Sequence, residues 1–589
     1  VQTKGRNLSS NFVSAFVLSV VEILCFWPIM GKVGFYLDDW ATMAYLHFAP
    51  RNQGLLEFLR YYLLNDSRVQ NRPLEVLHFG LLHWFAGGNP LHFHLFNLGL
   101  EVLAAILAYR IFVRVSGEKA LSLVAALIFL LHPGHDSTHY WVICSSVSLS
   151  MLLYLVSLHF SLAFVDSKVE QAEVGSGLLP WLYATLAALF FLLSLLNYET
   201  LVPLAAINVL LVVALSKQSN EKSGWLYALK QGGVLAFALS FAIGLLLCYL
   251  RYFMPLLGQG YVHHAHLDWS VMVRTLVRGC ELNLPFALGA FVCEQMVNGF
   301  ASLNRPEWLR LAAIAVLGGA GVFFLRQDEG STTNSGATSP SVLKASSLSP
   351  ACLIAIGVFG LVVSYSVFGL NSDYEPTYYT MVNRINAGAS FASSIALLGL
   401  LKFVPYGQSQ GANKGLSCFL ALVTALLVGC FTLTNFALAR PWLVSWETQT
   451  TIRRNILAQK EYLGKGPTLL LVNCPRYVMW SPVFDGVWDF SNMLRIGLND
   501  FDVNANVVSE RMSIDRDGVK DVSRGFECGQ YPFAKLKMVI APQAELINAP
   551  DAKHFIQIVS TRGMGFGFPA KGLARWEEER VHALEKPIK

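Results

Sequence analysis

The chain has 589 residues, 54% of them hydrophobic and 14% charged, with a mean hydropathy of +0.46, a composition outside the range of soluble domains. Its net charge of +5 is spread thinly, with no dense block of Lys and Arg, which excludes a phosphate-tracking surface and hence nucleic acid as a partner. Up to residue 438 the texture is that of a polytopic α-helical membrane protein; residues 439–589 read as a small globular tail.

A spanning helix needs about 20 apolar residues. In chain order the candidates are 11–31, 91–114, 119–131, 141–165, 178–197, 200–215, 231–253, 308–325, 351–370, 383–403 and 416–438, eleven in all. The first follows Lys4 and Arg6, lacks a small-residue cleavage site and reads as a retained anchor. The loop 32–90 after it carries two apolar stretches, 55–64 and 74–85, too short to cross and suited to helices lying in the interface. Segment 284–303 holds Pro285, Glu294 and Asn298 and reads as interfacial or re-entrant. Residues 326–350, rich in Ser, Thr and Gly, form a linker.

Orientation follows the positive-inside bias. Arg110, Arg114, Lys119, Arg326 and Lys402 gather in one set of connections, whereas the turns 132–140 and 197–200 hold no Lys or Arg. This places the N-terminus and the linker in the cytoplasm, and loop 32–90 and the tail outside it. The tail reads as α/β, with strands at 468–472 and 537–540 and a helix over 483–498. Cys474 and Cys528 could pair there in an oxidising compartment, and no CxxC motif occurs.

The strongest chemical signal is the carboxylate pair Asp38 and Asp39, directly after the first span. Ionised groups at the membrane edge are costly unless solvated or used. Attack by an acceptor hydroxyl requires a base, and a carboxylate can serve; equally, Asp is a favoured helix N-cap. Other charged groups fall on the same side of the expected topology. Arg72 ends the first loop; His132, His135, Asp136 and His139 share the turn LHPGHDSTHYW; Glu199 sits in NYE; and Arg384 opens the tenth span in VNRIN. A phosphate leaving group needs cationic donors, and Arg offers a rigid fork.

The run His263, His264 and His266 fits no standard zinc spacing. Gly563 to Phe568 reads as a flexible turn. Asp515 and Asp517 in DRDG lack the bidentate Glu of a calcium loop and read as a turn.

In order and spacing, FYLDDW, NRPLEVLHFGLLHWFAGGNPLHFHLFN, LHPGHDSTHYW and LNYETLVPL resemble the motifs of the GT-C superfamily of membrane glycosyltransferases, in particular the protein O-mannosyltransferase, aminoarabinose transferase and TPR-containing transmembrane O-mannosyltransferase branches. The resemblance covers roughly residues 10–215. It implies a GT-C membrane body, a polyprenyl-phosphate sugar as donor and an inverting displacement with Asp38 or Asp39 as base. Donor contacts would come from Arg72, His132, His135, Asp136, Glu199 and Arg384. The acceptor would be a protein, lipid or glycan, and the setting a bacterial-type inner membrane. The chain departs from the family pattern at Ser137, where an acidic residue is common, and at Tyr198, where Lys often precedes the Glu. The tail has no TPR repeat. No nucleotide-sugar motif is present, and a divalent metal is permitted but not indicated. Two readings of other classes stay open: an inactive GT-C-like structural or lipid-binding subunit of a membrane complex, and a transporter of lipid-linked glycans. The second would want polar groups along the bilayer midplane, and the spans are overwhelmingly apolar there.

Overall fold

The computed structural model describes residues 2–174, 177–219, 224–257, 268–334, 347–370, 374–403, 410–509, 511–523 and 526–563. The His263–His264–His266 run, linker residues 335–346 and the glycine turn beyond Gly563 lie outside the described residues; the start of the expected linker, 326–334, is instead the end of helix Arg305–Asn334.

The protein is a multi-pass helical membrane protein with a small sheet region at its C-terminal end. Among the described residues, nine helices are long and apolar enough to cross a bilayer, from Ser10–Met30 to Lys414–Leu457. Two of the eleven expected spans stand outside that set. Pro90–Ser116, at 27 residues and about 40 Å, carries Glu101, Arg110 and Arg114; Lys119–Leu130 has 12 residues, about 18 Å, and is too short to cross alone. Trp269–Leu282 and Pro285–Ser302 form one pair bent by 64°, the geometry of a broken span or re-entrant loop that Pro285 at the helix start favours.

The first loop folds as expected into short helices, among them Asp38–Phe48, Leu55–Asn65 and Pro73–Ala86. At the opposite ends of the spans lies a cluster of ion pairs: Arg114 Nε to Asp166 at 3.1 Å, Arg326 to Glu118 at 3.3 Å and to Glu329 at 3.0 Å, and Lys119 to Asp328 at 3.4 Å. Lys402 donates there to the Ser116 and Leu348 carbonyls.

The last helix, Gln410–Leu457, runs unbroken past residue 438 and carries the chain into the tail. A four-stranded sheet orders Asn504–Val507, Thr468–Val472, Leu536–Ile540 and Glu545–Asn548, the first three parallel and the last antiparallel. Helix Val487–Leu498 covers it, and a three-stranded antiparallel sheet, Met512–Ile514, Gly518–Ser523 and Phe526–Pro532, stands beside it. Asp515 turns the hairpin by accepting from the Asp517 and Gly518 N–H groups, as a loop aspartate does. The Cys474 thiol is free and buried.

The tail and the first loop share one apolar core that joins Phe35, Trp40, Leu46 and Phe58 to Leu469, Phe484, Phe490 and Met493. The tail therefore lies on the same side of the membrane as Asp38. Trp40 Nε1 donates to Gln449 at 2.9 Å, and Trp40 stacks on Trp446 with ring centroids 6.1 Å apart.

Small residues bring span Pro350–Leu370 against Met381–Lys402 at backbone distance. A Cβ on Gly399 would stand 2.8 Å from the Ile354 nitrogen and the Pro350 oxygen. Gly399→Ala should therefore lower stability by about 1–3 kcal/mol. Gly244→Ala, where nothing lies within 4 Å, should be neutral or stabilising because alanine is the better helix former. Thermal unfolding of both variants in one detergent checks the opposite signs; equal melting temperatures would refute the close packing.

Candidate active site

The two carboxylates after the first span have different environments. Asp39 is fully buried; its Oδ2 accepts from the Tyr36 N–H at 2.9 Å and its Oδ1 from the Ile143 N–H at 2.7 Å. Burial drives its pKa well above the ordinary carboxylate value, opposed by those N–H bonds. Asp39 thus clamps the first loop to the turn after the His-Pro segment instead of capping its helix. Asp38, by contrast, has a side chain 43% exposed, with Arg68 Nη1 at 3.6 Å. Arg68 is anchored by Asp66 at 2.6 Å and by Thr42 Oγ1 at 2.8 Å. Leu37, just before the pair, takes φ 46°, a conformation that costs a non-glycine residue about 1–3 kcal/mol and that clusters at functional sites.

Pro73 at the first helical position starts the helix that presents Arg72. The Arg72 guanidinium grips Glu199 bidentately, Nε to Oε2 and Nη2 to Oε1 both at 2.9 Å. It also lies 4.4 Å over the Tyr198 ring. Glu199 starts a 3-10 turn, Glu199–Leu204, that breaks the apolar run. On the other side of Tyr198, Arg384 Nε reaches the phenol oxygen at 3.3 Å. Arg384 otherwise meets the Met381 carbonyl at 2.6 Å and the faces of Trp141 and Tyr374 at 5.1 and 5.7 Å. Among the described residues no carboxylate lies within ion-pair distance of it. Thr380, which opens the Arg384 turn, has φ 70°.

The His-Pro turn is knotted into the same structure. Asp136 Oδ2 accepts from Trp442 Nε1 at 2.9 Å, and Oδ1 accepts from Asn383 Nδ2. Burial pushes the Asp136 pKa up to about 6 against those donors. His132 Nδ1 accepts from the Gly134 N–H at 3.1 Å, and His135 Nδ1 pairs with Thr138 Oγ1 at 3.0 Å. His139 turns toward the spans, its Nδ1 3.0 Å from Glu101.

All eight expected residues therefore belong to one connected face. Asp38, Asp39 and Arg384 all lie within electrostatic reach of the Cys144 thiol. Asp38 is half-exposed beside Arg68, Arg384 has no carboxylate partner among the described residues, Arg72 is neutralised by Glu199, and Asp39 and Asp136 are tied up in the fold. His132 and His135 are buried. Arg68, Trp141, Asn383 and Trp442 were missed in the sequence; an asparagine beside the arginine in VNRIN and an arginine four residues before Arg72 were the available signals.

No family model matches the chain, and no solved structure matches it significantly. The chain is similar to protein O-mannosyl-transferase TMTC1 of Homo sapiens, 34% identical over 134 residues, which are 22% of this chain and 14% of that protein. It is also similar to protein O-mannosyl-transferase TMTC4 of Homo sapiens, 26% identical over 274 residues, 42% of this chain and 35% of that protein. The TMTC1 of Mus musculus is 33% identical over 130 residues, 22% of this chain and 13% of that protein. The matches cover about a third or less of the length of these relatives. The resemblance to the GT-C O-mannosyltransferases read from the motifs is borne out.

The Asp136 clamp makes a sharp prediction. Asn383 cannot turn its amide, because its Oδ1 already accepts from the Ser137 N–H at 3.2 Å. Asp136→Asn would therefore set an NH2 against either that amide or the Trp442 N–H, and a buried donor left unmatched costs about 1–3 kcal/mol. At pH 7.5, where the carboxylate is ionised, the melting temperature of Asp136→Asn should fall clearly below wild type. An unchanged melting temperature would remove Asp136 from the fold-holding role.

Proposed function

We propose that the chain is a glycosyltransferase that moves a sugar from a polyprenyl-phosphate donor to an acceptor hydroxyl on the extracytoplasmic side of the membrane. The relatives are named as protein O-mannosyl-transferases, which makes mannose and a protein acceptor the first choices to test. The observation that carries the reading is the division of labour on one face: a half-exposed carboxylate, Asp38, and an arginine with no carboxylate partner among the described residues, Arg384, held by a shared framework.

In this reaction Asp38 takes the proton of the acceptor hydroxyl while its oxygen attacks the anomeric carbon, and the bond from that carbon to the phosphate oxygen breaks with inversion. The leaving phosphate gains charge, which Arg384 stabilises with the guanidinium edge not taken up by Tyr198 and the Met381 carbonyl. Tyr198 OH, beside Arg384, supplies a further donor. Arg72 contributes through the position of Tyr198, since Glu199 takes up its fork. The positive-inside bias supports the extracytoplasmic side: the Arg- and Lys-rich connections lie at the opposite ends of the spans. The tail, packed on the first loop, is the surface over which an acceptor would approach.

The test is transfer from labelled polyprenyl-phosphate mannose to a Ser/Thr-containing peptide by the purified chain. Asp38→Asn should lose about 10²–10⁴-fold in rate with an unchanged melting temperature, whereas Asp39→Asn should lose stability as well. Full activity in Asp38→Asn would sink the base assignment. Failure of the wild type with any polyprenyl-phosphate sugar would favour the non-catalytic subunit.

A further inference from the structure

A second constellation lies among the spans, apart from the proposed catalytic groups. Glu22 is the only charged side chain between Asn11 and Met30. A carboxylate inside a span is expensive and marks a function. Glu22 is completely buried, among the described residues no N–H or O–H group donates to either of its oxygens, and its polar neighbour is the Glu101 carboxyl. Beside it stand Glu101, from helix Pro90–Ser116, and His139, from the His-Pro turn; one ligand atom from each lies within 4.8 Å of the others. His139 is 1% exposed, its Nδ1 is 3.0 Å from Glu101 Oε2, and its Nε2 has no partner.

The surroundings orient these groups. Phe26, one turn beyond Glu22, stacks on the His139 ring at 4.1 Å. Asn97 Nδ2 stands 3.3 Å and Ser148 Oγ 3.4 Å from Glu101 Oε1, the kind of outer partner that holds a ligating carboxylate in place. A cavity of about 40 Å³ opens against Glu101 and His139, lined also by His135, Thr138 and Ser148, which is room for a water or an ion. His135 Nε2 is buried and unpartnered as well. Among the described residues no Lys or Arg pairs with Glu22 or Glu101. Arg310 is the neighbouring cation, felt like Glu22 and Glu101 at Cys25, but its contacts are Glu307 at 3.9 Å and the Phe436 ring at 5.1 Å, and among the same residues its Nη1 forms no hydrogen bond.

Two carboxylates and an imidazole in an apolar setting carry more negative charge than one imidazolium can balance, and leaving such charge uncompensated is strongly unfavourable. Oxygen and nitrogen donors of this kind suit a borderline divalent ion. Ligand atoms around zinc stand about 3.4 Å apart in a tetrahedron with bonds of about 2.1 Å, so small side-chain rotations close the group. We propose that Glu22, Glu101 and His139 hold a divalent cation, zinc by their donor set, which fastens the first span and helix Pro90–Ser116 to the His-Pro turn. The cavity leaves the fourth position to a water or to His135 Nε2. This site is independent of the glycosyltransferase reading.

The full chain, purified with its affinity tag removed, is to be analysed for metal by plasma mass spectrometry. About one zinc per chain is expected, with most of it lost in Glu22→Gln and in Glu101→Gln. Adding 1,10-phenanthroline should lower the melting temperature of the wild type by several degrees. Zinc should restore it and magnesium should not. Glu22→Gln should not respond to the chelator. Zinc-edge absorption should show only nitrogen and oxygen ligands, although Cys25 lies one turn from Glu22. A metal-free wild type whose melting ignores the chelator, the result expected if Glu22 and Glu101 merely share a proton, would overturn the proposal, as would a sulfur ligand. If the glutamine variants fail to fold, chelation and zinc add-back on the wild type decide the matter.

Discussion

Buried polar groups at a membrane rim, backbone and side chain alike, have to be satisfied within the protein, and two buried carboxylates take four such donors here. Asp39 receives the N–H groups of Tyr36 and Ile143, and Asp136 receives the side-chain donors of Trp442 and Asn383. The Tyr36 hydroxyl donates to the Trp442 carbonyl at 2.7 Å, and Trp141 Nε1 donates to the Tyr36 carbonyl at 2.9 Å. The first loop, the His-Pro turn, the Arg384 turn and the last helix are thereby joined in one polar framework. Removing either carboxylate would strand buried donors, so these side chains carry stability whatever the reaction.

Hydrophobic run length was enough to read most of the membrane body, because an apolar helix of about 20 residues has few alternatives. It could not mark where the last helix ends. The apolar texture stops near residue 438, yet the helix continues to Leu457, since Trp442, Ser445 and Gln449 are buried against the first loop and the tail. Hydropathy reports exit from lipid, while helix length there is set by packing. In the tail the strand Thr468–Val472 is buried at every position and was legible as a continuous apolar run. The antiparallel sheet from Met512 to Pro532 carries Asp, Lys, Ser and Gln among its strands and gave no such signal.

The site was legible as a set of residues and opaque as a set of roles. Asp38 and Asp39 are neighbours of one type, and what separates them is the Ile143 N–H, 104 positions further along the chain. Local sequence carries no trace of that contact. The same holds for Arg72 and Arg384, both expected as phosphate donors. Glu199 compensates Arg72, whereas Arg384 faces aromatic rings, and only three-dimensional placement decides which guanidinium is left for a ligand.

That placement follows from the same framework. Arg384 is adjacent to Asn383, whose amide is fixed by Asp136 on one side and by Ser137 on the other. The guanidinium lies on the ring of Trp141, and the indole N–H of that same ring is bonded to the Tyr36 carbonyl, two residues before Asp38. The proposed base and the proposed phosphate donor are thus connected by one short path, Asp38–Tyr36–Trp141–Arg384. Preorganisation of charge in this manner is worth more than the charges alone, because little reorganisation is left to occur during reaction. A substitution at Trp141 that kept the apolar contact but lost the N–H would uncouple the two ends of that path without touching either charged group.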